Sequence, residues 1–322
     1  MVQASQGHDP RMERREHHLI RASNTFKLAA ARFIETEMRP KVKNWKTVES
    51  VLRLHCSSWA DKPIQDLRRR DCHALLDALV DNGQVAMARE VRKHLHRFWG
   101  WAVDRELVSS NPMTGLKRGD LAVTEEAGRA LRDDEIKLIW SATETMSYPY
   151  GPLFRLLLLT GCRRTEWAAA SRSEINSDKQ WFELPKSRDK SKRGNIVPLS
   201  NTAWAIVQGL PVWTGNDYYL FSHRGGAVPV TSFTRAKEAL DKATGITEYF
   251  RPSHDYRVTC ETRLASLGFN QEVRDAVLNH ARPGLQKTYN KFDYLAQKQQ
   301  ALQAYADHIA SITKCSSLTP TT

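Results

Sequence analysis

Between Tyr150 and Thr160 the chain reads Tyr-Gly-Pro-Leu-Phe-Arg-Leu-Leu-Leu-Leu-Thr, apolar nearly all the way round a helix, and Gly161 follows. A helix with no polar face has to be surrounded by protein. A glycine just past its end can take the left-handed conformation that closes such a helix. The apolar run is far too short to span a bilayer, so it predicts a domain built round a buried helix. That domain starts at Ala130-Leu131-Arg132-Asp133-Asp134-Glu135, an acidic helix start leading into Ile136, Leu138 and Ile139.

Around it the pattern is mainly helical with a small antiparallel sheet. A short helix is expected from Arg163 to about Ser171, and further helices at Thr202–Leu210, Ser232–Thr244, Ser253–Leu267, Gln271–His280 and Asp293–Ile312. Trp181–Pro185 and Asn195–Ser200 read as two strands, with the basic stretch Lys186–Arg193 as a flexible loop between them. Upstream, Phe26–Phe33, Val48–Trp59 (capped near Asn44 or Thr47), Asp71–Leu79 and Val85–Leu107 carry the 3–4 spacing of buried helix faces, and Asn111-Pro112 is the expected stop of the last. The expected organisation is a mobile tail (1–24), a helical domain (25–112), a linker with Gly115, Gly119 and Gly128 (113–130), a second domain (131–314) and a loose end (315–322).

A length of 322 residues suits two cores, and 41% hydrophobic with 26% charged residues is ordinary for a folded protein. Five scattered cysteines without a Cys-x-x-Cys pair point to reduced thiols in a cytoplasm-like compartment and no structural zinc. The N-terminus has no apolar stretch of the secretory kind. A net charge of +12 suits a polyanion, most simply nucleic acid. Residues 25–118 hold 18 lysines and arginines against 11 aspartates and glutamates, a surplus of seven. One face of the Val85–Leu107 helix carries Arg89, Arg92, Lys93, His96 and Arg97, a candidate surface for tracking a DNA backbone. His94 lies near the apolar stripe and reads as a packed histidine.

Several polar groups have spacings that suit one phosphate. Arg163 follows the glycine of the buried helix, and Glu166 at i+3 can hold its geometry. The loop Lys186–Gly194, which includes Lys190, Lys192 and Arg193, can reach a phosphate or a leaving oxygen. His254 and Arg257 share the first turn of a helix that Ser253 can cap, where free N–H groups attract anions. His280 and Tyr289 follow. His-x-x-Arg alone says little, since it also occurs at His8/Arg11, His18/Arg21 and His94/Arg97. There is no Walker-type glycine loop and no dedicated carboxylate cluster for Mg²⁺, so neither ATP nor a metal or other cofactor is expected.

Taken together, Thr160–Glu166, the Lys186–Ser200 hairpin, Ser253–Arg257, Leu278–His280 and Tyr289, nine residues after His280, resemble the tyrosine recombinases of the bacteriophage-integrase family. The helical block ending in Val103–Leu107 and Asn111-Pro112 is similar to the family's core-site-binding domain. The resemblance covers about residues 25–312. It implies a helical core-binding domain and a mixed α+β catalytic domain that close on DNA as a C-shaped clamp. It further implies that Tyr289 attacks a scissile phosphodiester, leaving a 3′-phosphotyrosine and a free 5′-hydroxyl. Arg163 and Arg257 would clamp the non-bridging oxygens, Lys190 would protonate the leaving oxygen, His254 would act as general acid/base, His280 would bond the phosphate, and Glu166 would support the site.

The implied partners are double-stranded attachment or core sites, a homotetramer on synapsed DNA and accessory DNA-bending proteins, with no membrane. The implied setting is cytoplasmic, on the nucleoid. The chain departs from the family at Cys162, where an aliphatic residue is usual, and at Asn279, where glycine is common. Lys186 and Lys192 compete with Lys190, and Tyr294 with Tyr289. The short N-terminal tail leaves no room for the family's arm-binding domain, which is expected to be lacking or removed. The helix Asp293–Ile312 either docks on a neighbouring protomer or caps its own domain. Type IB-like topoisomerase action and a catalytically silent DNA-binding module are the alternatives.

Overall fold

The computed structural model describes residues 24–115, 128–215, 217–280 and 294–314. The expected tail at 1–24 (all but its last residue), most of the expected linker and the loose end at 315–322 lie outside them. The chain divides into two units between Glu125 and Glu126, and each has its own hydrophobic core. Among the described residues no helix is long and apolar enough to cross a membrane.

The first unit is helical: α1 (Phe26–Phe33, continued by a π turn at Ile34–Met38), α2 (Trp45–His55), α3 (Arg69–Asp81) and α4 (Val85–Asp104). The apolar stripe of α4 delivers Phe98 into a ring cluster with Phe26, Phe33, Trp99 and Trp101; its centroid lies 5.1 Å from Phe26 and 5.0 Å from Trp99, both edge to face. Each such pair adds about 1 kcal/mol beyond area burial. His94 is buried on the same helix, and burial followed by the Lys93 charge lowers its pKa.

Two helices of this unit end well short of expectation. Helix α2 ends at His55, and Ser57–Trp59 form a separate 3₁₀ turn. Helix α4 ends at Asp104, well before Asn111-Pro112. Glu106 takes φ of 55°, the Leu107 amide donates to the Ala102 carbonyl at 3.0 Å, and the Glu106 amide to Val103 at 2.9 Å. This is a Schellman closure. It uses glutamate where glycine is the usual signal, which is why the sequence conceals it.

In the second unit α5 (Asp133–Thr145) leads to α6 (Tyr150–Thr160), whose Leu153, Phe154 and Leu156–Leu159 are all buried. Helices α7 (Arg164–Ala168), α8 (Asn201–Gln208), α9 (Thr234–Thr244), α10 (Asp255–Ser266), α11 (Gln271–Val277) and α12 (Leu295–Lys314) complete the helical part. Strands β1 (Ile175–Asn176), β2 (Trp181–Leu184) and β3 (Asn195–Pro198) form an antiparallel sheet in that order, with Phe182 opposite Val197. Phe182 stacks on Trp167 of α7 at 4.5 Å, which joins the sheet to the helices. At two residues, β1 is too short to show any alternation in sequence.

Helix α12 belongs to this unit's own core. Ala301, Leu302, Tyr305, Ala306, Ile309 and Ile312 are buried in it, against α5, α6, α11 and β3. Buried Lys298 donates to Asn195 Oδ1 at 2.8 Å and to the Ile196 carbonyl, pinning α12 to β3. This burial accords with the expectation that the last helix caps its own domain. Leu302→Ala should therefore cost about 3 kcal/mol in urea unfolding, with a midpoint independent of protein concentration. A helix held by a second copy would give a concentration-dependent midpoint.

Candidate active site

The site begins where α6 ends. Gly161 takes φ of 60°, and a Cβ there would lie 2.8 Å from Leu278 Cδ2 and 3.0 Å from Cys260 Sγ, so glycine answers both backbone and space. The Gly161 carbonyl accepts from Arg257 Nη1 on α10. Arg257 Nη2 donates to the Leu278 carbonyl at 2.8 Å and lies 3.4 Å from His280 Nε2. Burial, then the nearby Arg163 charge, lowers the Arg257 pKa. An arginine remains ionised regardless, so the shift marks a partly desolvated cation beside a second one. His280 Nδ1 is 3.3 Å from Asp275 Oδ1.

Arg163 precedes α7 and is held by Glu166 at two points. Its Nη1 donates to Oε1 at 2.9 Å and its amide to Oε2 at 2.8 Å. Glu166 is buried, so the pair orients a cation rather than decorating the surface. Cys162 is buried as a small packed residue, and burial raises its thiol to about 12.

The loop between β2 and β3 is an organised turn rather than a flexible finger. Asp189, only 2% exposed, accepts from the amides of Ser191 (3.0 Å), Arg193 (3.2 Å) and Gly194 (3.1 Å) and from the Ser191 hydroxyl. Burial acts to raise its pKa. The Ser191 hydroxyl and amide, the Asn279 side chain and the Arg193 amide outweigh that and hold it at about 2. Asn279 Nδ2 contributes by proximity, since it makes no hydrogen bond of good geometry. Lys190 and Lys192 are exposed on this frame. Arg188 turns inward to a bidentate pair with Glu174 and donates to the Glu166 carbonyl at 3.2 Å.

At two helix ends the structure departs from the sequence-based expectation. Ser253 does not cap α10. His254 occupies the N-cap position without a side-chain cap bond, and the Asp255 carboxylate accepts from the Arg251 amide at 2.6 Å. The Asp255 and Arg257 amides are already bonded to Arg251 and His254 carbonyls, so this is not an open anion-binding end. Helix α11 stops at Val277 rather than running to His280. Asn279 takes φ of 50°, and the His280 amide donates to the Asp275 carbonyl at 2.9 Å. Asparagine is the next residue after glycine to accept that conformation.

Arg163, Glu166, Arg257 and His280 are thus brought together. His254 is exposed one turn ahead of Arg257, and Gly128 passes so close that a Cβ there would lie 2.4 Å from His254 Cδ2. Tyr289 lies outside the described residues. The rival Tyr294 packs against the unit's core. On α4, Lys93 pairs with Glu90, Arg97 is 3.4 Å from Glu37, and Arg89 and Arg92 are half-buried, so the basic face is partly neutralised by the protein itself.

The model of the phage integrase family matches residues 129–295, just over half of the chain. The chain belongs to the phage integrase family. It is similar to the prophage integrase IntZ of Escherichia coli K12, 29% identical over 259 residues that make up 78% of this chain and 62% of IntZ. It is also similar to prophage integrase IntA of the same strain, 23% identical over 88% of this chain and 70% of IntA. Among solved structures, a lambda integrase tetramer bound to a Holliday junction shares its fold, with a TM-score of 0.68 and 18% identity over 89% of this chain and 84% of that one.

Within this integrase-family chain, Asp189 and Arg188 brace the loop beside the candidate site and Lys298 holds α12 to β3, and the sequence singled out none of the three. Asp189 did leave a signal, as the one carboxylate in a run of cations. Arg188 was lost among its cationic neighbours, and Lys298 among the polar residues at the start of an ordinary helix. Because its folded pKa lies below the ordinary 3.8, Asp189 contributes stability above about pH 4 and loses it as pH falls towards 2. Urea unfolding of wild type and Asp189→Asn should differ by about 2 kcal/mol at pH 6, and the difference should shrink steadily below pH 4.

Proposed function

We propose that this chain is a site-specific DNA recombinase that cleaves and rejoins DNA through a 3′-phosphotyrosyl link, integrating or excising a mobile element. The observation that carries the reading is the partly desolvated Arg257 guanidinium, fixed by two helix-end carbonyls beside Arg163 and His280. Such a preset cation pair is suited to charge that develops in a five-coordinate phosphate. In this mechanism the Tyr289 oxygen forms a bond to phosphorus while the bond to the 5′-oxygen breaks. Lys190 gives its proton to that leaving oxygen, and His254 accepts or returns the tyrosine proton. Tyrosine's ordinary pKa of about 10 calls for such a cationic setting near neutral pH. Glu166 holds Arg163, and His280 bonds a non-bridging oxygen.

The partner proposed is duplex DNA carrying core or attachment sites, gripped by the helical unit (25–112) and the catalytic unit (131–314). Arg89, Arg92, Lys93, Arg97, Lys192 and Arg193 are the proposed backbone contacts. Four protomers on two synapsed duplexes are the proposed working assembly, as the lambda integrase tetramer on a Holliday junction suggests by analogy. The chain spans 62% of IntZ's length.

A suicide substrate nicked next to the crossover tests the reading. Wild type and Tyr294→Phe should form a covalent protein–DNA adduct, and Tyr289→Phe none. Arg257→Ala should slow adduct formation by about 10² to 10³-fold. Relaxation of any supercoiled plasmid by monomers, with no pairing of sites, would instead point to a topoisomerase.

A further inference from the structure

The two arginines of the β2–β3 loop flank Lys190 and tie the loop to opposite sides of the phosphate clamp. Arg188 binds the Glu166 carbonyl at 3.2 Å, on the helix that Arg163 begins. Arg193 Nη2 donates to the His280 carbonyl at 2.9 Å and to Asn279 Oδ1 at 3.2 Å, on the turn that presents His280. Between them, the buried Asp189 carboxylate gathers the Ser191, Arg193 and Gly194 amides, which fixes the backbone on the C-terminal side of Lys190. Lys190 itself remains exposed. The loop therefore presents this lysine on a frame whose registration to the clamp depends on named side chains.

Asn279 is the informative member. Its φ of 50° is a glycine-like conformation, and glycine would satisfy the backbone alone. Only a side chain with an acceptor can also receive Arg193. We propose that Arg193 and Asn279, with Asp189 beneath them, form a latch that positions Lys190 over the leaving oxygen. The latch rests on the reading of Lys190 as the acid that protonates that oxygen. Its members are positioning residues, and what they set is the placement of one proton at the leaving oxygen. A general acid contributes about 10² to 10⁴-fold, and a displacement of about 1 Å forfeits much of that.

The test separates proton delivery from everything else. Two suicide substrates are compared, one natural and one with sulfur in place of the bridging 5′-oxygen at the scissile phosphate. A thiolate departs without a proton, so a misplaced acid no longer matters. Asn279→Gly, which keeps the turn, and Arg193→Ala should each slow cleavage of the natural substrate about tenfold. On the sulfur substrate, with the enzyme at saturation, they should fall within about twofold of wild type, and Asn279→Gly should leave DNA affinity unchanged in a gel-shift titration. Lys190→Ala is the control and should show the same pattern with a larger loss. Equal slowing on both substrates, or no slowing on the natural one, overturns the latch. If sulfur fails to rescue Lys190→Ala, the assignment of Lys190 itself falls and takes the latch with it; if sulfur rescues Lys190→Ala but not the latch variants, only the latch falls.

Discussion

The second unit depends on one partly desolvated guanidinium. Arg257 joins the C-terminal ends of two helices, through the Gly161 carbonyl after α6 and the Leu278 carbonyl after α11. Carbonyls at helix ends have no intrahelical donor and carry the negative end of the helix dipole. They offset the cost of desolvating a cation and are satisfied by it in turn. The same two bonds set where α6 releases the chain towards Arg163 and where α11 releases it towards His280. A single side chain thus aligns three elements distant in sequence, and the cationic groups converge as a result.

Much of this arrangement is legible in the amino-acid sequence. The all-round apolar pattern of Tyr150–Thr160 with Gly161 behind it predicts a central helix and its left-handed end, and both occur. The i, i+3 spacing of Arg163 and Glu166 and the two-strand reading of Trp181–Ser200 also correspond to observed contacts and pairing. These are local signals, carried by periodicity and short spacing. The mainly helical class with a small antiparallel sheet follows from the same patterns.

What the sequence hides depends on partners far along the chain or on residues filling another residue's usual role. Glu106 and Asn279 occupy left-handed positions where glycine is the readable sign, so both helices look longer in sequence than they are. Ser253 looks like a cap, but Asp255 reaches back to the Arg251 amide instead. The cationic run from Lys186 to Arg193 looks solvated. Its order comes from Asp189 within the run and from Glu174, Glu166, Asn279 and His280 outside it. No window of periodicity contains those pairings.

The burial of α12 bears on how the protein comes into being. A chain made from its N-terminus can enclose the first unit's core early, because all of α1–α4 has already emerged. The second core remains open along the surfaces of α5, α6 and α11 until Leu302, Tyr305 and Ile309 arrive. Until then the growing chain exposes apolar surface of the kind that invites association. A polypeptide still short of Ile312 lacks part of its second core, so the order of synthesis itself withholds the proposed strand cutting from half-made molecules.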